Sequence, residues 1–122
     1  IEIATENIRN AGLSKKIDFK ARSVFDFEPP KGKGLVITNP PYGERLKKDQ
    51  IETFYKQLGD CFKQRYSGYD VWLISSNTEA LRTFGLRPSK SISLTNGALE
   101  CKYQLFSMYK GSPKVKFRKP KV

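Results

Sequence analysis

The apolar run Leu35-Val36-Ile37-Thr38, closed by Asn39-Pro40-Pro41-Tyr42, constrains this chain more than any other segment. A short continuous apolar run of this kind reads as a buried strand of a parallel sheet. Asn-Pro and Pro-Pro are turn formers, so the strand ends there and the chain turns beyond its carboxyl end, where open parallel sheets bind ligands. The four residues suit a planar amine. The Asn39 side-chain carbonyl and a backbone carbonyl held out by Pro40 or Pro41 can each accept a hydrogen bond from an exocyclic NH2. That draws the nitrogen lone pair towards an electrophile, and Tyr42 offers a face on which a base can stack. The bland alternative is a strand-ending turn without chemistry.

Periodicity supplies the surrounding elements. Residues 1–10 read as the end of a helix, with Ala4, Ile8 and Ala11 at helical spacing and Gly12 as its C-terminal cap. Ile17 to Ala21 alternates and reads as a strand. Pro29-Pro30-Lys31-Gly32-Lys33-Gly34 is a loop rich in breakers. Ile51, Phe54, Tyr55, Leu58 and Phe62 line one face of a helix, with Asp49 and Glu52 as a variant capping box at its start. Val71-Trp72-Leu73-Ile74 is a second buried strand, which places Trp72 in the core. Thr78 to Phe84 is a short helix ended by Gly85. Residues 89–95 and 99–109 read as strands joined across Asn96-Gly97, a strong hairpin signal.

The chain of 122 residues suffices for one small domain, and no stretch is long and apolar enough for a membrane span. Cys61 and Cys101 form no Cys-x-x-Cys and histidine is absent, which excludes a zinc site or a Ser-His or Cys-His centre built from this chain. Two buried, reduced thiols in a cytoplasmic protein are the expectation. The net charge of +11 points to a polyanion, most simply nucleic acid. Six of those charges fall in the basic tail, residues 110–122, which contains no acid, so the body of residues 1–109 carries only +5. The tail reads as disordered, either a solvated terminus or an RNA contact.

Asn39-Pro40-Pro41-Tyr42 resembles the [D/N/S]-P-P-[Y/F/W] signature of the amino-methylating class I S-adenosylmethionine-dependent methyltransferases. The longer string Asn39 to Leu46, with Asn96-Gly97-Ala98-Leu99-Glu100-Cys101, is similar to the bacterial family that methylates the guanine N2-amine of large-subunit ribosomal RNA. Members are often catalogued as N6-adenine-specific DNA methylases. The resemblance covers roughly residues 1 to 110. It implies an α/β fold, the second half of a Rossmann-like sheet ending in an antiparallel hairpin. In the family's strand order, 3-2-1-4-5-7-6, the first two strands would precede Ile1, as in a piece of a longer chain.

The resemblance implies S-adenosylmethionine as cofactor and assigns roles residue by residue. Asn39, Pro40, Pro41 and Tyr42 would form the catalytic turn, with Asn39 also against the cofactor. Tyr42, Arg45, Asn96 and Gly97 would face the substrate. The family commonly places an Asp after its third strand for the cofactor's adenine amine. Ser23 stands there instead, with Asp26 three residues on as a substitute. The glycine-rich cofactor loop has no counterpart, since Lys31-Gly32-Lys33-Gly34 precedes a strand. The implied protein methylates guanine N2 in ribosomal RNA. A DNA adenine-N6 methyltransferase and a non-catalytic basic RNA-binding module are the competing readings. The isolated 122 residues are expected to be inactive, and either to pair by an exposed strand edge as a homodimer or to leave the 17–21 strand out of the sheet.

Overall fold

A computed structural model describes residues 2–41 and 46–108, apart from the side chain of Asn96. Tyr42, Arg45 and the basic tail therefore lie outside the described residues.

Helix α1 (Glu2–Asn10) comes first, and Gly12 closes it with φ of 73°, as the sequence predicts for a glycine past a helix end. Strand β1 (Gly34–Thr38) leads into the Asn39 turn. Helix α2 (Lys48–Arg65), strand β2 (Tyr69–Ser75), helix α3 (Thr78–Arg82) and strands β3 (Lys90–Asn96) and β4 (Leu99–Ser107) follow. The sheet order is β1-β2-β4-β3; β1 runs parallel to β2, and β4 is antiparallel to both its neighbours. This corresponds to the 4-5-7-6 half of the order that the resemblance implies. Because β4 reverses twice between its neighbours, β3 runs in the same direction as β1 and β2. The carboxyl ends of β1, β2 and β3 therefore share one edge of the sheet.

The core lies between α2, α3 and one face of the sheet. Tyr55, Leu58 and Phe62 of α2 meet Val71 and Leu73 of β2, Phe84 after α3, and Phe106 of β4, all within 2% of full burial. Side chains of this size stabilise a fold by roughly 1.5–3 kcal/mol each when buried. Cys61 and Cys101 are both free and buried, and burial pushes the Cys61 thiol above its ordinary pKa, so it stays protonated. Among the described residues no helix is long and apolar enough to cross a membrane, and no cluster of His, Cys, Asp and Glu could hold a metal.

Several expectations need correction. Residues 17–21 form no strand, although their absence from the sheet is the second of the two outcomes expected of the isolated chain; Ile17 and Phe19 are each 44% exposed. An alternating pattern forms a strand only beside a partner, and none of the four strands present neighbours it in the implied order. β1 is parallel but not buried on both faces: Leu35 and Ile37 are 60% and 68% exposed at its unpaired edge. Trp72 leaves the core and stacks on Tyr103 across β2 and β4, ring centroids 4.7 Å apart. The start of α2 is held differently too. The Lys47 amide donates to Gln50 Oε1 at 3.0 Å, while Asp49 sits within the first turn. In the hairpin, Asn96 pairs with Leu99, so Gly97 and Ala98 form the turn, with Gly97 at φ of 65° and no positive φ at Ala98. Positive φ at the first central residue only is the type II′ arrangement, one residue later than the Asn96-Gly97 turn the sequence suggests.

Gly59 marks the closest approach of α2 to the segment after α3. A Cβ there would collide with the backbone carbonyl of Phe84, which cannot swing aside like a side-chain tip. Alanine favours a helix over glycine by about 1 kcal/mol, but overpacking against backbone costs about 1–3 kcal/mol or more. Gly59→Ala is therefore expected to lower the urea midpoint. A raised midpoint would show that α2 packs elsewhere.

Candidate functional site

The carboxyl edge of the sheet gathers the turn after β1, the segment after β2 and the β3–β4 hairpin. Asn39 stands exposed at the end of β1, and no hydrogen bond from its side chain to another described residue is formed. Pro40 beside it is buried and anchors the turn. The Pro41 carbonyl accepts a hydrogen bond of 2.9 Å from the Tyr55 hydroxyl, fourteen residues away on α2.

Tyr55 is completely buried, as is Ser75 at the end of β2, and their hydroxyls lie 2.7 Å apart. The Ser75 hydroxyl also accepts from the Asn77 amide at 3.1 Å. Proton counting fixes the direction of this chain. A carbonyl only accepts, an amide only donates, and each hydroxyl has one proton. Tyr55 spends its proton on Pro41, so Ser75 must donate to Tyr55. The polarity runs from Asn77 N–H through Ser75 and Tyr55 to the Pro41 carbonyl, each bond reinforcing the next. Asn77 is in turn fixed as the N-cap of α3, its side chain accepting from the Ala80 amide at 3.0 Å.

Sequence reasoning missed Tyr55, Ser75 and Asn77 as parts of the site. Tyr55 was visible as a member of the apolar α2 face. Its only further signal was that a phenol in such a face must find a hydrogen-bond partner.

The remaining candidates occupy two places. Ser23 caps a single 3-10 turn, Val24–Asp26, its hydroxyl accepting from the Phe25 amide at 3.2 Å. That turn is docked on α2. Phe25 packs edge-on to Phe54 at 5.7 Å, and Arg65 donates to the Phe25 carbonyl at 2.5 Å. Asp26 is exposed, with no ion pair to another described residue. No hydrogen bond or ion pair joins Ser23 or Asp26 to Asn39 among the described residues. Gly97 forms the hairpin tip, and Asn96 closes its last strand pair. The flanking residues Thr95 and Glu100 share a cleft of about 520 Å³ with Ser76 and Thr78, which follow β2.

Comparison with known proteins places this arrangement. The RMKL-like, methyltransferase domain family matches residues 1–104. Ribosomal RNA large subunit methyltransferase K/L of Shewanella sp. strain MR-4 is 40% identical over 110 residues, covering 89% of this chain and 15% of that protein. Its counterpart from Shewanella sp. strain W3-18-1 is 38% identical over 113 residues, covering 92% of this chain and 16% of that protein. The chain thus spans about 15% of the length of these curated relatives. Among solved structures, SMU.472, provisionally named a methyltransferase and complexed with SAH, superposes with a TM-score of 0.79. It is 29% identical, and the match covers 91% of this chain and 29% of that one. A predicted N6-adenine-specific DNA methylase from Listeria monocytogenes superposes at 0.65 with 30% identity, covering 91% of this chain and 27% of that one.

The hydroxyl chain can be tested by a double-mutant cycle. Tyr55→Phe leaves the buried Ser75 hydroxyl without its acceptor, and should destabilise by about 1–3 kcal/mol. Ser75→Ala removes the acceptor of the bond from the Asn77 amide and should cost a similar amount. The two share one bond, so the double variant is expected to lose less than the sum, with a coupling of about 0.5 kcal/mol or more. Strict additivity by denaturant unfolding would mean that the two hydroxyls do not interact.

Proposed function

The chain belongs to the RMKL-like methyltransferase domain family, and we propose that it carries the catalytic turn of an enzyme that methylates an exocyclic base amine. The substrate in this reading is guanine N2 of large-subunit ribosomal RNA, and the methyl donor is S-adenosylmethionine. The observation that supports it most is the pinned turn at the carboxyl end of β1. There Asn39 keeps its side chain exposed while Tyr55 holds the carbonyl two residues on.

That geometry refines which carbonyl receives the amine. In this reading the Pro41 carbonyl serves Tyr55 and the Pro40 carbonyl beside Asn39 is the second acceptor. Two acceptors aimed at the two N–H bonds orient the nitrogen lone pair away from the protein, and no general base is required. The proton is lost to water after transfer. Positioning and fixed dipoles supply the acceleration. Tyr42 stacks on the base once it is swung out of the RNA.

The described residues fit the cofactor at its adenine end. The exposed Asp26 carboxylate forms no ion pair with another described residue and can accept from an exocyclic amine. Ser23 retains its hydroxyl proton for donation, since its oxygen takes the Phe25 amide. When bound, the cofactor supplies the transferred methyl as a sulfonium group. A cradle for its methionine part is not among the described residues, because Gly32, at φ of 114°, precedes β1 instead of linking a strand to a helix.

The likeness to a protein named as an N6-adenine-specific DNA methylase supports a second reading, adenine N6 in DNA. Methyl transfer by the full-length protein to undermodified ribosomal RNA and to unmethylated DNA separates the two.

In that assay Asn39→Ala should lower turnover by about 100-fold or more, the scale of losing a preorganised polar contact. Tyr42→Ala should weaken substrate binding by about 1–3 kcal/mol and leave cofactor binding nearly intact. Undiminished turnover by the Asn39→Ala enzyme would remove the proposed role.

The 122 residues alone are expected neither to bind S-adenosylmethionine tightly nor to catalyse, since they offer one wall of the pocket. Calorimetric titration checks this directly, and micromolar affinity would show that the chain holds a complete cofactor site.

A further inference from the structure

A groove of mixed polar and apolar lining runs along α3 and the outer strands, starting at Ser76, the residue after Ser75. Its near end is the cleft of about 520 Å³ lined by Ser76, Thr78, Ser93 and Lys102. A second hollow of about 630 Å³ shares Thr78 and Lys102 with it and continues to Arg82 and Arg87. Register joins the groove to the site. Lys102 lies directly across from Ser75, whose hydroxyl holds Tyr55 and through it Pro41. Opposed residues of paired strands project from the same face of a sheet, so Lys102 and Ser75 share one face.

Arg82 and Arg87 are exposed and form no ion pair with another described residue. Lys102 donates to Ser93 Oγ at 2.8 Å, which orients its ammonium along the groove. Some other cations are paired, as Lys48 is with Glu79 at 3.4 Å and Arg65 with Glu28 at 3.7 Å. Among the described residues Glu100 at the hairpin end is the one acid lining the two hollows, against three cations. No aromatic side chain among the described residues lines either hollow, so the surface suits a phosphodiester backbone better than stacked bases.

We propose that this groove is the track for the single-stranded RNA that flanks the target base, with Arg82, Arg87 and Lys102 on phosphates. The hydroxyls of Ser76, Thr78 and Ser93 face the ribose, whose 2′-OH both donates and accepts hydrogen bonds. A base swung into the Asn39 turn needs its neighbouring nucleotides held apart from the duplex, and the groove starts beside Ser75, which is linked to that turn through Tyr55. Guanidinium groups bind phosphate oxygens in pairs, which makes the two unpaired arginines the strongest contacts. This assignment rests on the nucleic-acid reading proposed above.

The test is fluorescence anisotropy of a labelled single-stranded RNA with the full-length protein across a salt series, alongside methyl-transfer measurements on ribosomal RNA. In Arg82→Gln/Arg87→Gln the log–log salt slope should become shallower by about 0.7 per lost contact, about 1.4 in all. Lys102→Gln should remove about 0.7 more. Both variants change exposed or half-exposed side chains, and an unshifted unfolding midpoint checks that they fold. A DNA strand of the same sequence should bind more weakly, for want of the 2′-OH. An unchanged slope in the folded double variant, or no RNA binding by the parent protein, overturns the track. Equal affinity for the DNA strand overturns the ribose contacts. RNA bound with the expected slopes but left unmethylated would reject the proposed reaction while the track stands.

Discussion

Everything at the functional edge depends on one constraint, that a phenol buried to completion must spend its hydroxyl. Tyr55 sits in the middle of α2 among Leu58, Phe62, Val71 and Leu73, where its ring is as much core as any of them. An unsatisfied hydroxyl in that position would cost about 1–3 kcal/mol. Its proton goes to the carbonyl of Pro41 at 2.9 Å, so the packing of α2 on the sheet and the shape of the turn after β1 are settled together. The prolines of the turn have no amide proton to donate, so the turn is held by the bond from Tyr55 to the Pro41 carbonyl and by the burial of Pro40. Core rigidity is thereby passed to Asn39, the residue whose placement matters most to the proposed chemistry.

The fold was legible where a single face decided the outcome. The α2 face of Ile51, Tyr55, Leu58 and Phe62 is buried as its spacing requires, because an amphipathic helix needs only the sheet beneath it. Strand segments were less secure, because a strand depends on partners that sequence does not name. Residues 17–21 carry the right alternation but meet no ladder. Leu35 to Thr38 and Val71 to Ile74 read as continuous apolar runs, which suggests burial on both faces. In the structure only one face is covered, so Leu35 and Ile37 remain exposed while Trp72 covers itself with Tyr103. The runs recorded a second covering layer, which the described residues do not supply.

The candidate site divides along the same line. Asn39, Pro40 and Pro41 were legible from one contiguous motif at a strand end. Tyr55 and Ser75 were not, because their bonds to the motif and to each other span fourteen and twenty residues. Nothing local marks a tyrosine in an apolar face as an anchor, nor a serine at a strand end as the link between a capped helix and the turn after β1. Tyr42 and Arg45, read from the same motif, fall outside the described residues. Ser23 was read as a departure from the family pattern, and its hydroxyl serves its own turn first.

The hairpin ties the substrate side of the edge to the core by register. Side chains alternate along β4, so Lys102, Gln104 and Phe106 face the helices together, opposite Ser75, Leu73 and Val71. A slip of one residue would drive Phe106 out of the core and turn Lys102 to the opposite face, away from the groove. Burial of Phe106 at one end of the strand therefore fixes where the cation stands at the other. The turn must agree with that register, and Gly97 permits it. With φ of 65° there and Ala98 in an ordinary conformation, two residues close the hairpin and leave Asn96 opposite Leu99. A side chain at Gly97 would meet no neighbouring atom, so the requirement for glycine is conformational alone. The sequence string that resembles a family's substrate segment is thus explained first as a register lock, and that lock also sets where Lys102 stands.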